Sequence, residues 1–299
     1  MSRRPPLLQV ATPGCRCTGN TNILPNPHRH FHQKRLKVEH EFRSKESCSS
    51  VYVGLDAMLS LESTSQSGHK GDQYRTEGLA VAFPDDGFVI LPELISLQAC
   101  DELIETISTT APGKPGSRSL LGLPAVDRTA VELQRQLITM GLMSEAHQVV
   151  QCSLFAKGVD ATWSVTPHQD LSIPVSDRVE APGWSGWSRK ENVWFVQPPT
   201  SILEKLVAVR LQLDDHASET GPLEVVPGSH ANGRMTSASV SQHAAHRVSC
   251  IVPRGGVLVM RPLLIHSSSK PRSSTPRRVL HYLCGPPLPA GISWATLRR

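Results

Sequence analysis

Through roughly the first eighty residues, apolar positions recur with no sustained period of 2 or 3.6. Pro, Ser, Asn, His and Arg dominate this stretch, a composition with too little apolar surface to offset the entropy of ordering it. Residues 1–80 are therefore expected to be a disordered or non-native extension. Pattern begins near Phe83. Gly87–Leu91 reads as a short strand, and Ser96 as the cap of a helix with Cys100, Leu103, Ile104 and Ile107 on one stripe. After a Gly/Pro/Ser loop (Pro112–Ser119), a second helix is expected from about Asp127, with Val126, Ala130, Leu133 and Leu137 on its buried face. From Val149 the period shortens to that of strands. Runs at Val149–Phe155, Trp163–Ile173, Leu206–Leu213, Leu223–Val226, Arg247–Val252, Val257–His266 and Arg278–Leu283 are separated by turns. Two helices followed by seven or eight short strands predict helices packed on a β-sandwich or jelly roll.

Composition narrows the class. The chain has 299 residues, 39% of them hydrophobic, and a formal net charge of +5. Residues 1–50 hold nine Lys/Arg against three Glu, so the remainder sums to −1. The basic balance belongs to the extension and gives no reason to expect nucleic-acid binding by the folded part. Seven cysteines, isolated from Cys100 onward, read as buried thiols of a cytoplasmic protein rather than a disulfide frame. No apolar run approaches the ~20 residues of a membrane span, and no apolar segment of a secretory leader precedes Pro13-Gly14. Cys15, Cys17, His28, His30 and His32 invite a zinc reading, but Cys-x-Cys is not the usual ligand spacing.

Candidate chemistry centres on Thr166–Val175, TPHQDLSIPV. On a strand, His168 and Asp170 would share a face, which supplies two of the three ligands of a 2-His-1-carboxylate iron site. His266 ends the strongest apolar run, and a jelly roll brings such distant strands together. An arginine beside the site could take a carboxylate in two parallel hydrogen bonds. Arg277 and Arg278 lie on opposite faces of one expected strand, and Arg210 sits in the middle of another.

HQD, then GPLEVVPGSH (Gly221–His230), RPLLIHSSSKP (Arg261–Pro271) and RRVLHY (Arg277–Tyr282) together resemble the phytanoyl-CoA dioxygenase family. The resemblance runs from about Phe83 to Trp294. It implies a mainly β chain with flanking helices around a double-stranded β-helix, a jelly-roll or cupin-like core. It implies Fe(II), 2-oxoglutarate and O2 as cofactor and cosubstrates, with His168, Asp170 and His266 as iron ligands. The family's 2-oxoglutarate arginine falls on Arg277, which is preferred to Arg278. Arg210 is expected to line the cavity near a carboxylate. The implied reaction hydroxylates a small organic molecule and releases succinate and CO2. Because Asp170 is a carboxylate and not a small residue, hydroxylation is expected over halogenation. Pro167 departs from the pattern, since many relatives carry an aromatic residue before the first histidine.

The remaining features have plainer readings. His230 is expected to serve its Pro-Gly turn and His281 to pack behind the site. Asp214 and Asp215 read as a solvated turn. Ser176–Pro199, with Trp184, Trp187 and Trp194, is either a stapled surface loop or a lid. Arg189 and Lys190 on it read as solvated charges, with contact to an anionic substrate the sharper alternative. A silent cupin-like metal- or ligand-binding protein and a zinc hydrolase are the rival functions. The sequence leaves substrate and oligomeric state open.

Overall fold

A computed structural model describes residues 83–110, 116–158, 163–215 and 218–295. The expected extension over residues 1–80, including the Cys15/Cys17 and His28–His32 group, lies outside the described residues. The first strand is β1 (Phe88–Leu91), and α1 (Leu97–Thr110) follows, its first turn closed by Ser96, whose Oγ accepts from Ala99 N at 3.2 Å. After β2 (Gly116–Ser117), α2 spans Pro124–Thr139. It starts three residues earlier than the apolar stripe indicates because Pro124, with φ already fixed and no N–H to lose, occupies the first turn.

The remaining strands are β3 (Gln148–Lys157), β4 (Val165–His168), β5 (Ile173–Val175), β6 (Ser185–Lys190), β7 (Val193–Gln197), β8 (Val207–Gln212), β9 (Leu223–Val225), β10 (Val248–Cys250), β11 (Val257–Met260), β12 (His266–Ser268) and β13 (Arg277–Gly285). Short helices α3 (Thr200–Leu203) and α4 (Ser237–His243) interrupt them. A six-stranded sheet runs β1-β11-β8-β13-β3-β2, a four-stranded sheet β10-β9-β12-β4, and a three-stranded sheet β5-β7-β6. Neighbours from distant parts of the sequence pair antiparallel, β13 with both β3 and β8, which is the jelly-roll connectivity expected.

Two expected strands are each split. Trp163–Ile173 breaks into β4 and β5, and Val257–His266 into β11 and β12. In the second case Pro262 has no N–H for a ladder, and a turn closed by Leu264 N to Arg261 O (2.9 Å) separates the halves. His266 therefore opens a strand of the small sheet instead of closing one of the large sheet.

The large sheet's alternation positions the site. Val89, Leu91, Val207, Val209, Leu211, Val257 and Val259 face α1 and α2 in one buried cluster with Leu103, Ile107, Leu133 and Leu137. Burying each such side chain stabilises the fold by roughly 1.5–3 kcal/mol. On the opposite, inward face the sheet changes character across its width. At β1 and β11 the inward residues are apolar: Phe88, Ile90, Leu258 and Met260 pack with Val225 and Leu264 of the small sheet's side. At β3, β8 and β13 they are Gln151, Ser153, Phe155, Lys157, Arg210, Arg277 and His281, and they line a cavity. One half of the sandwich is core, and the other half is a site. Cys100, Cys152, Cys250 and Cys284 are buried free thiols, as their isolation in the sequence indicates.

Candidate metal centre

The sheet register sets the first two side chains. His168 ends β4 and His266 begins β12, and the two are directly opposed in the antiparallel ladder, with ring centroids 4.2 Å apart. Asp170 lies just past β4, its N–H donating to Pro262 O at 2.9 Å. Donor atoms of His168, Asp170 and His266 all lie within 4.8 Å of one another. The carboxylate sits between the rings, 3.7 Å from His168 Nε2 and 3.6 Å from His266 Nε2. Those separations exceed a hydrogen bond, so the three groups converge on a common space without satisfying one another.

Each ring is oriented by the same device. His168 Nδ1 lies 2.8 Å from Thr166 O and His266 Nδ1 2.9 Å from Leu264 O, in both cases a carbonyl two residues back. A carbonyl only accepts, so each Nδ1 carries the proton and each Nε2 offers its lone pair to the shared space. Burial, opposed by Asp170, pushes His266 down to about 4, and its ring is neutral at pH 7. Burial opposes the charge on Asp170, but His266, His281, His168 and Arg210 together outweigh it and hold the carboxyl below its ordinary range. Two imidazoles with Nδ1 bonded to a carbonyl and Nε2 turned inward, together with a carboxylate, fit a divalent iron of the facial-triad type.

Gln169 fixes this geometry from behind. It is buried, donates to Leu263 O (2.7 Å) and Gly233 O (2.8 Å), and accepts from Met235 N (2.8 Å). It thereby ties the His168–Asp170 segment to the turn that precedes His266. Ser229 does the same from β9's side, donating to Val226 O (2.7 Å) and accepting from Ile265 N (2.9 Å). Neither role was legible in the sequence, where Gln169 reads as a spacer and Ser229 as part of a turn. His230 does serve its turn, with Nε2 2.9 Å from Pro84 O.

Beyond the triad the cavity, of about 440 Å3, is cationic. Arg277 is 3% exposed; it donates to Gly221 O, its Nε has no partner, and no carboxylate among the described residues pairs with it. Burial, then the like charge of Arg210, pulls it down to about 10, still charged at neutral pH. Arg278 points to the other face, where Asp214 accepts from its backbone N–H (2.6 Å) and its Nε (3.0 Å). Asp214 is thus a half-buried ion-pair partner and not the solvated turn residue expected. Arg210 lines the cavity floor, 3.1 Å from His281 Nδ1 and stacked 5.2 Å from the Phe155 ring. Because a guanidinium only donates, His281 accepts there; burial, then Arg210, pushes it down to about 3.

Lys157 is the cation that sequence reading missed. It is opposite Arg277 in the ladder, buried, and donates to Ser268 Oγ (2.8 Å) and Ser269 O (2.9 Å). Burial, then Arg277 and Arg210, lowers it to about 8. Its signal was present in the alternation of β3, where Gln151, Ser153, Phe155 and Lys157 fall on one face, but only pairing with β13 shows which face is the cavity. The Trp-rich segment, read as a loop or lid, is the β5-β7-β6 sheet beside the mouth, and Lys190 and Phe195 from it line the cavity.

Comparison with known proteins follows the same lines. A family model described as phytanoyl-CoA dioxygenase matches residues 83–279. No curated protein matches the chain. Among solved structures, the epimerase SnoN in complex with Fe3+, alpha-ketoglutarate and nogalamycin RO is similar at TM-score 0.55 and 16% identity, covering 76% of this chain and 88% of that one. The carbocyclase SnoK from nogalamycin biosynthesis is similar at TM-score 0.52 and 14% identity over 69% and 82%. The non-heme monooxygenase ThoJ, solved with Ni, is similar at TM-score 0.51 and 18% identity over 72% and 78%. At these identities the likeness establishes the shared jelly-roll fold.

Proposed function

This chain belongs to the phytanoyl-CoA dioxygenase family, and from that premise we propose that it is an Fe(II)- and 2-oxoglutarate-dependent dioxygenase that hydroxylates a small organic substrate. The observation that carries the reading is Arg277, a buried guanidinium without a carboxylate partner among the described residues, on the floor of the cavity that holds the His-Asp-His cluster. Leaving a charge buried and unpaired costs several kcal/mol. A dicarboxylate that spans from the metal to this arginine removes that cost.

Ferrous iron and 2-oxoglutarate, when bound, would supply with O2 the oxidising power for hydroxylating a substrate carbon, with succinate and CO2 as the other products. The rest is positioning by the chain. His168 and His266 would hold the iron through Nε2, and Asp170 through its carboxylate. Arg277 holds the far carboxylate of 2-oxoglutarate, with Lys157 beside it and Arg210 on the same floor. Phe155, Trp163 and Phe195 narrow the space left for water. Asp170 occupies the position where a halide would need room, which favours hydroxylation. The structurally similar epimerase and carbocyclase make product analysis part of the test.

Succinate released from purified protein with Fe(II), 2-oxoglutarate and O2 tests the reading. The wild-type chain is expected to form succinate, and Asp170→Ala to abolish it while leaving the fold intact by circular dichroism. Succinate formation that survives Asp170→Ala at the wild-type rate would remove the metal assignment.

A further inference from the structure

The charge lining the cavity exceeds what the cosubstrate can neutralise. Five Lys/Arg side chains face it, namely Arg118, Lys157, Lys190, Arg210 and Arg277, against the single carboxylate of Asp170. Arg118 is matched by Glu191 at 3.6 Å. The other four have no carboxylate at ion-pair distance among the described residues. A ferrous ion, Asp170 and the keto-acid dianion together carry one net negative charge. That offsets one of the four cations and leaves three, among them Lys190, which is exposed to solvent at the cavity mouth. A neutral substrate would close the cavity over the surplus; an anionic one would relieve it.

An apolar shelf lies among these cations. Phe155 keeps 38% of its surface exposed although it projects from the inward face of β3. Trp163 and Leu171 line the same cavity. At the mouth, Lys190 ends β6 with its ammonium 5.1 Å from the centre of the Phe195 ring, a cation held at the edge of an apolar wall. The β6–β7 hairpin that carries it is fixed across the opening by Ser119 Oγ donating to Glu191 Oε2 at 2.9 Å.

We propose that the substrate is an organic anion, with an apolar skeleton lying on Phe155 and Trp163 and a carboxylate or phosphate group met by Lys190 at the cavity mouth. This rests on the dioxygenase reading and names the chemical class on which that site acts. It sets a negatively charged substrate apart from a neutral polyketide or sugar of similar size.

Isothermal titration of the full chain tests it, with Ni(II) and saturating 2-oxoglutarate present so that added acids cannot take the keto acid's place. The probes are two matched pairs: 4-phenylbutyrate against 4-phenylbutyramide, and 3-phenylpropyl phosphate against 3-phenylpropanol. At least one anion is expected to bind about tenfold or more tightly than its neutral partner, and the pair that shows the preference identifies the anionic group. The preference should weaken with added salt, shrink about threefold or more in Lys190→Gln, and persist in Lys190→Arg. Neutral partners binding as tightly as the anions, or no probe binding while 2-oxoglutarate does, overturns the inference and leaves the dioxygenase reading standing. Failure of 2-oxoglutarate itself to bind removes that reading and this inference with it.

Discussion

Arg277 and Arg278 are adjacent in sequence, yet they meet opposite environments. Alternation along β13 sends one inward and one outward, but says nothing of which. Asp214 decides it by accepting three hydrogen bonds from Arg278, two from its side chain and one from its backbone. Arg277 is left in the cavity without an acid among the described residues. Arg277→Ala is therefore expected to weaken 2-oxoglutarate binding by roughly 10- to 100-fold, the loss of a charge-assisted pair. Arg278→Ala should change that affinity by less than about threefold and instead cost about 1–3 kcal/mol of stability by stranding Asp214. Calorimetric titration and urea unfolding of the two variants separate these outcomes, and the reverse ranking would show that the cavity lies on the other face of β13. Lys157 adds a pH signature. An anion favours its protonated form, and in the free protein it loses its proton near pH 8, pulled down by burial and the two arginines. The affinity for 2-oxoglutarate should accordingly fall as pH rises through about 8, and that fall should vanish in Lys157→Met.

At the scale of elements, periodicity located both helices and most strands because each has one face against a continuous core. It failed where both faces of a segment are spoken for. Val257–Ile265 is apolar except for Arg261, so no alternation marks the turn at Arg261–Leu264 that passes the chain from the large sheet to the small one. β6 and β7 have partly exposed faces carrying Trp, Arg and Lys, which looks like loop composition, and it is pairing, of β7 with β5 and of β6 with β7, that makes them strands. The His168–Asp170 spacing pointed to a shared face of one strand. Strand geometry ends at His168, however, and Asp170 is aimed by its own bond to Pro262 and by Gln169. That predicts an effect on both fold and metal. Gln169→Ala should cost about 3 kcal/mol in urea unfolding, one buried and two half-buried hydrogen-bonding groups losing their partner. It should also weaken metal binding although Gln169 touches no metal. A variant with wild-type stability would show that the turn before His266 is held by other means.

The described residues form a sandwich whose interior is core at one end and cavity at the other, and the difference is written in one face of three strands. Residue types pointed to candidate ligands and a candidate arginine; what they could not show was the charge surplus, which emerges only when β3, β8 and β13 lie side by side. All the buried clusters of the described residues fall between Phe83 and Ala295. A chain lacking residues 1–75 is expected to keep the same thermal midpoint within about 2 °C and the same rate of succinate formation. Loss of soluble protein on that truncation would assign the extension a part in the fold.

The central claim is that His168, Asp170 and His266 hold an iron which 2-oxoglutarate chelates while Arg277 takes its other end. It is tested most directly by anaerobic addition of Fe(II) and 2-oxoglutarate to the purified chain, followed in the visible spectrum. The account predicts a weak metal-to-ligand charge-transfer band that needs both additions and is lost in Asp170→Ala. Folded wild-type protein that shows no such band at saturating Fe(II) and 2-oxoglutarate would contradict it.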